Sequence, residues 1–206
     1  MQVIVVTGGL GSGKSTAAKY FRSRGAWTLD LDDIAAKLLS PGTALLDRVA
    51  SEFGGDEVLL PDGRLDRPAL ARKAFATSEA TKRLNSIVHP AVAREVGVAI
   101  DQMRLLGEPP VAVVFEVPLL AEAPVLAEVA DSVLAIVAPE RLRISRAVAR
   151  GMDEDEATRR IRRQASDADR AVLANAVILN AGDADEFEEE LAAFWEGSVA
   201  PRGVAR

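Results

Sequence analysis

A glycine-rich stretch near the start of the chain has the residue types and spacing that bind phosphate groups. It reads Gly-Gly-Leu-Gly-Ser-Gly-Lys-Ser over residues 8–15, directly after an apolar run at residues 3–6. Glycines let successive backbone N–H groups turn inward around phosphate oxygens, and a helix predicted over residues 16–24 would point its N-terminus at the same anion. Lys14 supplies a charge for the β- and γ-phosphates, and Ser15 supplies a hydroxyl for Mg²⁺. A strand, this motif and a helix in succession predict a P-loop.

The elements that would position this loop are short apolar runs separated by helical patterns. The runs lie at residues 3–6, 26–31, 111–115, 133–137 and 177–179. Nearly continuous apolar strands of this kind predict a parallel five-stranded sheet with helices on both faces, a three-layer α/β sandwich. In such folds, ligands bind outside the carboxyl ends of the strands, so polar groups at those ends are expected to converge.

Two stretches depart from this alternation and are predicted to be inserts within a single domain of residues 1–206. One is a helical substrate lobe, interrupted at Gly54-Gly55, at Pro61-Asp62-Gly63 and at His89-Pro90. The other is an arginine-rich lid, in which Pro139 opens one helix and Asp153 caps another. The boundaries are a core of residues 1–40, 107–138 and 176–196, a lobe of 41–106, a lid of 139–175, and a frayed tail of 197–206.

Composition limits the classes of function. The chain has 206 residues, 49% of them hydrophobic, and a net charge of −6, so a general attraction to nucleic acid is not expected. It has no cysteine, which fits a cytoplasmic protein, and no apolar run reaches the roughly 18 residues of a membrane span. Since the first strand begins at the start of the chain, no signal peptide is expected.

The predicted lid is unusually rich in arginine. It contains eight arginines and five acidic residues between Pro139 and Arg163. On a helix, Arg143, Arg146 and Arg150 would fall within about 60° of one another. The planar guanidinium suits paired contacts with phosphate oxygens, so beside a P-loop these side chains are expected to close over transferring phosphates. The alternative is a solvated helix face with ion pairs.

Carboxylates at two strand ends are candidates for catalysis. Phosphoryl transfer to an alcohol benefits from a carboxylate that orients the hydroxyl and takes its proton. Asp30 and Asp32 would share a face if the second strand continued through them, whereas Asp33 would cap or begin a helix over residues 34–39. Helix capping is the alternative role for all three aspartates. Glu116, at the end of the third strand, would contact Mg²⁺ through water or support a ligand from behind.

Ordered blocks along nearly the whole chain resemble the dephospho-CoA kinase family. The first is the P-loop block of residues 7–16, which is similar to the family's TGGIGSGKST, and it is followed by Asp30-Leu31-Asp32, similar to its DxD. Further blocks are Asp62-Gly63-Arg64-Leu65-Asp66-Arg67, Leu84-Asn85-Ser86-Ile87-Val88-His89-Pro90, and Val117-Pro118-Leu119-Leu120 with Glu122. Arg146, Arg150, Ile161, Gln164, Asn180 and Gly182 complete the resemblance, which covers about residues 1–190.

The resemblance implies transfer of a phosphoryl group from ATP to the ribose 3′-hydroxyl of dephospho-CoA, the last step of coenzyme A synthesis. It implies Asp32 as the base, acting with Lys14 and Arg146, and His89 as either a substrate contact or a structural residue at a bend. The expected ATP-binding residues are Gly11, Ser12, Gly13, Lys14, Ser15, Thr16 and Arg150. The expected substrate-binding residues are Thr7, Asp32, His89, Pro118 and Leu119. Mg²⁺ would be held by Ser15 and, through water, by Glu116.

Two other functions remain to be weighed. Another small P-loop kinase, acting on a nucleoside or nucleotide, would use Lys14, Ser15 and Asp32 similarly. A guanine-nucleotide switch is disfavoured, because the chain has no Asn-Lys-x-Asp sequence for reading the base. The partner expected from the sequence is therefore a small-molecule substrate, with no nucleic acid, membrane or obligate protein partner.

Overall fold

Five parallel strands form one sheet in the computed structural model, which describes residues 1–118 and 120–199. The strands are β1 (Gln2–Gly8), β2 (Trp27–Leu29), β3 (Ala112–Glu116), β4 (Ser132–Val137) and β5 (Ala176–Leu179). Their order across the sheet is β2-β3-β1-β4-β5, and every neighbouring pair is parallel. The predicted α/β fold with a parallel five-stranded sheet is confirmed.

The helices α1 (Lys14–Ser23) and α9 (Ala184–Val199) pack in the main apolar core of this sheet. Phe21 of α1 stacks on Trp195 of α9, with ring centroids 5.6 Å apart. The central strands bury almost every side chain, because a parallel sheet covered by helices leaves neither face in water. This rigid core fixes the carboxyl end of β1, from which the P-loop leaves.

The chain divides into two compact units, which are described separately. The first comprises Met1–Leu29 and Ile100–Arg206, and the second comprises Asp30–Ala99. In the first unit, three helices follow β4 and precede β5 along the chain: α6 (Glu140–Val148), α7 (Glu154–Arg163) and α8 (Asp167–Val172). The assignment of residues 41–106 to a substrate lobe and of 139–175 to a lid remains a prediction.

The second unit is helical and has its own apolar cluster. Its elements are α2 (Leu31–Leu38), α3 (Ala44–Phe53), α4 (Arg67–Ala74) and most of α5 (Ser78–Arg104). Val49 and Val58 are fully buried in this cluster, together with Phe53 and Leu70.

None of the helices in the described part of the chain is long and apolar enough to cross a membrane.

The boundary after β2 differs from the prediction. The strand stops at Leu29, and Asp30 becomes the N-cap of α2, its carboxylate accepting from the backbone N–H groups of Asp32 at 2.8 Å and Asp33 at 3.3 Å. The helix therefore begins at Leu31, so the strand does not continue through Asp30 and Asp32 and they do not share a strand face. The prediction that Asp33 caps the helix is wrong, and the capping alternative is confirmed for Asp30. An aspartate that satisfies two orphan N–H groups stabilises the helix start more than another strand residue would.

The His89-Pro90 pair does not interrupt the helical lobe, contrary to the prediction. Helix α5 runs continuously from Ser78 to Arg104 with Pro90 inside it. Proline removes one backbone hydrogen bond, but the buried side chains of Val92, Val96 and Ile100 recur every four residues and keep the helix on an apolar face. His89 is thus a half-buried residue within a helix, not at a helix junction.

The predicted frayed tail is wrong over residues 197–199. Residues 197–199 are the last turn of α9, because Phe187, Leu191 and Trp195 continue the apolar face of that helix and Val199 packs against the same core. Residues 200–206 of the predicted tail lie outside the described residues. Leu119, one of the predicted substrate contacts, also lies outside them.

Candidate functional site

The P-loop connects the carboxyl end of β1 to the N-terminus of α1. Gly11 has a φ of 75° and Gly13, the N-cap of α1, has a φ of 110°, a left-handed conformation that favours glycine. The helix begins at Lys14, two residues before the predicted start. No side chain caps it. The Thr16 N–H donates to the Gly13 backbone oxygen at 3.0 Å, and the N–H groups of Lys14 and Ser15 at the helix start can face an anion.

Lys14 lies at the centre of a positively charged site. Its Nζ donates to the backbone oxygen of Gly9 at 2.9 Å. Burial is the main cause that lowers the pKa of Lys14 to about 8; Arg170, Arg143 and Arg150 also lower it, and Glu116 opposes them. The ammonium is thus held where its own charge is unfavourable, which a bound anion would reverse.

Ser15 and Glu116 bring two oxygen ligands together beside the loop. The Ser15 Oγ donates to Glu116 Oε2 at 3.1 Å, and Glu116 is the last residue of β3, paired in register with Val6 of β1. Hydroxyl and carboxylate oxygens are the ligands that Mg²⁺ prefers, with water and phosphate completing its shell. Within the described residues, no group of three or more His, Cys, Asp or Glu side chains is arranged so that it could hold a metal ion by itself. The residues present fit a cation held mainly by nucleotide phosphates.

Two predicted substrate residues lie near the end of β3. The Thr7 hydroxyl is buried and donates to the backbone oxygen of Val117 at 2.8 Å, so it joins the end of β1 to the segment after β3. Pro118 follows and is exposed. Whether either contacts a substrate remains a prediction.

The arginines of the predicted lid fall into two groups. Arg143 is buried and Arg146 is half-buried, and both bind neighbouring polar groups of the first unit. By contrast, Arg160 and Arg162 are exposed and pair with Glu156 at 2.5 Å and with Glu140 at 3.5 Å. The solvated face with ion pairs therefore describes part of α7, whereas Arg143 and Arg146 of α6 contact the P-loop and the segment after β5.

Asn180, after β5, links Arg146 to the P-loop. Its Nδ2 donates to the Ser12 backbone oxygen at 2.8 Å. The Arg146 guanidinium donates to the Asn180 side-chain oxygen at 3.0 Å and backbone oxygen at 3.2 Å. A side chain at Gly13 would collide with the Asn180 amide, so glycine is required there by contact as well as by φ.

These contacts form one wall of a cavity of about 350 Å³ beside the start of α1. Its lining combines glycine, arginine and one aromatic ring, namely Phe187. The lining residues are Gly13, Thr16, Arg146, Ala149, Arg150, Asn180, Gly182, Asp183, Ala184 and Phe187. Three predicted ATP-binding residues, Gly13, Thr16 and Arg150, are thus brought together with Arg146 around one space.

Sequence reasoning assigned no contact to several residues that hold this site. Arg170 of α8 is 1% exposed, donates to the Ala165 backbone oxygen and pairs with Asp167, and its second terminal nitrogen has no partner in the described structure. Its helix was missed, although the capping box formed by Ser166 and Asp169 is a local signal for it. The long-range contacts of Gln164 and Asn180 leave no comparable pattern in the sequence.

The remaining predicted residues belong to the second unit. Asp32 lies in the first turn of α2 and is exposed, and His89 lies in α5 and is half-buried. Their roles toward the P-loop of the first unit remain predictions.

Comparison with known proteins identifies relatives of this chain. A family model described as dephospho-CoA kinase matches residues 2–186. The dephospho-CoA kinase of Corynebacterium diphtheriae is 40% identical over 197 residues, covering 95% of this chain and 96% of its own. That of Corynebacterium jeikeium is 41% identical over 198 residues, covering 96% of this chain and 100% of its own.

A solved structure supports the fold independently. The dephospho-CoA kinase from Campylobacter jejuni superposes with a TM-score of 0.67 at 24% identity, covering 95% of this chain and 96% of its own. With a matching family model over most of the chain and relatives near 40% identity along its whole length, the chain belongs to the dephospho-CoA kinase family.

Proposed function

We propose that the chain transfers the γ-phosphoryl group of ATP to the ribose 3′-hydroxyl of dephospho-CoA, giving CoA and ADP. The observation that carries the donor half is the P-loop arrangement, in which Lys14 and the open N-terminus of α1 face one charged site. Membership in the family carries the acceptor half. The transfer joins the 3′-oxygen to the γ-phosphorus and breaks the bond from that phosphorus to the β–γ bridging oxygen.

The P-loop residues act on phosphate charge. The backbone N–H groups of residues 11–16 and the Lys14 ammonium hold the β- and γ-phosphates and offset the charge on the leaving ADP. When bound, Mg²⁺ neutralises charge on the phosphate oxygens, and Ser15 with Glu116, through water, would hold it. Asp32 receives the proton of the 3′-hydroxyl, so the attacking oxygen gains charge only as the bond forms.

The cavity lined by Arg146, Arg150 and Phe187 is the proposed place for the adenosine part of ATP. It adjoins Gly13 and Thr16, so a nucleotide with phosphates in the P-loop would extend into it. Arginine planes and an aromatic ring suit a flat base. On the acceptor side, His89, Thr7, Pro118 and Leu119 are the proposed contacts of dephospho-CoA. The reaction is proposed to be cytoplasmic.

An acceptor screen tests the proposed function. The purified chain, ATP and Mg²⁺ are incubated with dephospho-CoA, its 3′-deoxy analogue, nucleosides and nucleoside monophosphates, and ADP release is followed. Of these acceptors, only dephospho-CoA should give rapid ADP release, and the 3′-deoxy compound should give none. Preferential turnover of a nucleoside or nucleotide would establish the alternative kinase, and turnover of the 3′-deoxy analogue would move the acceptor atom.

Removing either cavity arginine should slow transfer. Arg146→Ala and Arg150→Ala are expected to lower kcat by at least about tenfold and to raise KM for dephospho-CoA much less, because their charge acts when the phosphates are in place. Arg141→Ala, at an exposed position of α6, is the control. Hydrogen exchange over residues 139–165 should slow when ATP binds. Exchange that ATP leaves unchanged would mean that no lid closes there.

Glu116→Gln should raise the Mg²⁺ concentration needed for half-maximal rate by about tenfold, the usual effect of losing a carboxylate behind a metal ligand. ADP binding without Mg²⁺ should stay within twofold of the unaltered chain. Titration of Mg²⁺ in the coupled assay measures this, with exposed Glu108→Gln as control. An unchanged Mg²⁺ requirement would remove Glu116 from the metal site.

Nucleotide affinity should fall as the pH rises above 8. The pKa of Lys14 is about 8, so the ammonium is charged below that pH, and above it binding must first recover a proton. Kd for ATP should therefore rise about tenfold per pH unit toward the ordinary lysine pKa of 10.5. Calorimetric titration from pH 7 upward measures it. Lys14→Ala should show no such slope, and a slope that persists in that variant would assign the titration elsewhere.

A further inference from the structure

We infer that Arg143 and Gln164 are positioning residues that hold the tip of the P-loop in its nucleotide-binding conformation. This inference rests on the proposed function, in which the P-loop binds ATP. Neither side chain lines the cavity beside the start of α1. Arg143 belongs to α6 and Gln164 directly follows α7. They come 133 and 154 residues after Leu10, the loop residue that they contact.

Leu10, at the tip of the loop, has both backbone polar groups held by these side chains. Its N–H donates to Gln164 Oε1 at 2.9 Å, and its carbonyl oxygen accepts from Arg143 Nε at 3.0 Å. Arg143 also donates to the same Gln164 oxygen at 3.2 Å. Leu10, Arg143 and Gln164 therefore each form a hydrogen bond with the other two. The peptide groups on both sides of Leu10 are thereby fixed.

The fit around Arg143 is too close to be an incidental contact. A side chain at Gly9 would collide with the Arg143 guanidinium, and one at Gly11 would collide with the Arg143 backbone oxygen. The glycines of the motif at these two positions therefore admit α6 against the loop, in addition to leaving room for phosphate.

Burial makes this contact strong and its loss costly. Arg143 is 6% exposed, and its charge is balanced by Asp167, whose carboxylate lies 3.5 Å from the guanidinium and also pairs with Arg170. A buried charged donor with fixed partners makes a stronger hydrogen bond than an exposed one. Without it, the glycine-rich loop would have many conformations to lose when nucleotide binds.

Two conservative variants separate positioning from charge. Gln164→Met keeps length and removes the shared acceptor oxygen. Arg143→Lys keeps the positive charge and removes the fork that reaches Leu10, Gln164 and Asp167 together. Each should raise Kd for ADP, measured by calorimetry, about tenfold, the usual effect of losing a hydrogen bond to a charged group. KM for ATP should rise in parallel, and KM for dephospho-CoA should change less than twofold.

Matched controls are Gln102→Met and Arg104→Lys, which are exposed residues of α5; Arg104 pairs with Asp101 at the surface of that helix. Two results would overturn the inference: ADP affinity within twofold of the unaltered chain, or a fall in Tm with both KM values raised alike, which is general destabilisation. Should Arg143→Lys fold poorly, Gln164→Met decides alone. If the unaltered chain binds ADP but does not phosphorylate dephospho-CoA, the proposed function fails while the ADP comparison still tests these residues.

Discussion

Lys14→Ala should reduce kcat by about 10²–10³-fold, the usual cost of removing one group aimed at transition-state charge. Lys14 is the P-loop cation, and its Nζ reaches across the loop to the Gly9 oxygen. During transfer, the proposed role of this ammonium is to stabilise the negative charge that develops on the phosphate oxygens. Its loss should therefore lower kcat more than it raises KM for dephospho-CoA. Steady-state kinetics with the coupled assay measure the change.

The same substitution should leave the fold intact. Burial and the neighbouring arginines lower the pKa of Lys14, which means that the surroundings disfavour its charge in the ligand-free protein. Removing it should therefore not lower Tm. Lys19→Ala, at an exposed position of the same helix, is the matched control and should keep full activity. Substantial turnover by a folded Lys14→Ala protein would contradict the P-loop assignment.

The sheet was predictable because its strands are written in the sequence as apolar runs. Each of the five runs overlaps a strand of the structure, and parallel strands buried on both faces need such runs. The errors lie where a local pattern competes with another interaction. The aspartate at position 30 fits a strand end or a helix cap equally well, and two hydrogen bonds decide for the cap. The proline at position 90 predicts a break in the helix, but α5 continues past it because the residues beyond it keep an apolar face.

The contiguous part of the candidate site was the most directly predictable. The motif of residues 8–15 marks its own function, since glycine, lysine and serine at fixed spacing have few other uses together. The groups that hold this loop come from sequence positions more than 130 residues away, as with Arg143 and Leu10, which meet at 3.0 Å. No periodicity encodes such a meeting, because it depends on how α6 is placed against the end of β1.

Asp32→Asn should lower kcat by about 10²–10⁴-fold, the contribution expected from a positioned general base, while Kd for ATP stays near that of the unaltered chain. An amide has the size of the carboxylate but cannot take the proton of the 3′-hydroxyl. Asp32 is exposed in the first turn of α2, and its side chain makes no capping contact, so stability should not change. Kinetics, calorimetry and Tm together measure this.

The neighbouring aspartates provide the controls that make this result specific. Asp30→Asn should be much milder, because asparagine caps a helix about as well as aspartate and would still accept from the N–H groups of Asp32 and Asp33. Asp33→Asn removes one charge from the same turn and should leave kcat within a fewfold. If Asp30→Asn instead proves the more severe in kcat with Tm unchanged, the base is Asp30. If all three variants lose activity equally, the effect is the summed negative charge at this helix start, and no single carboxylate takes the proton.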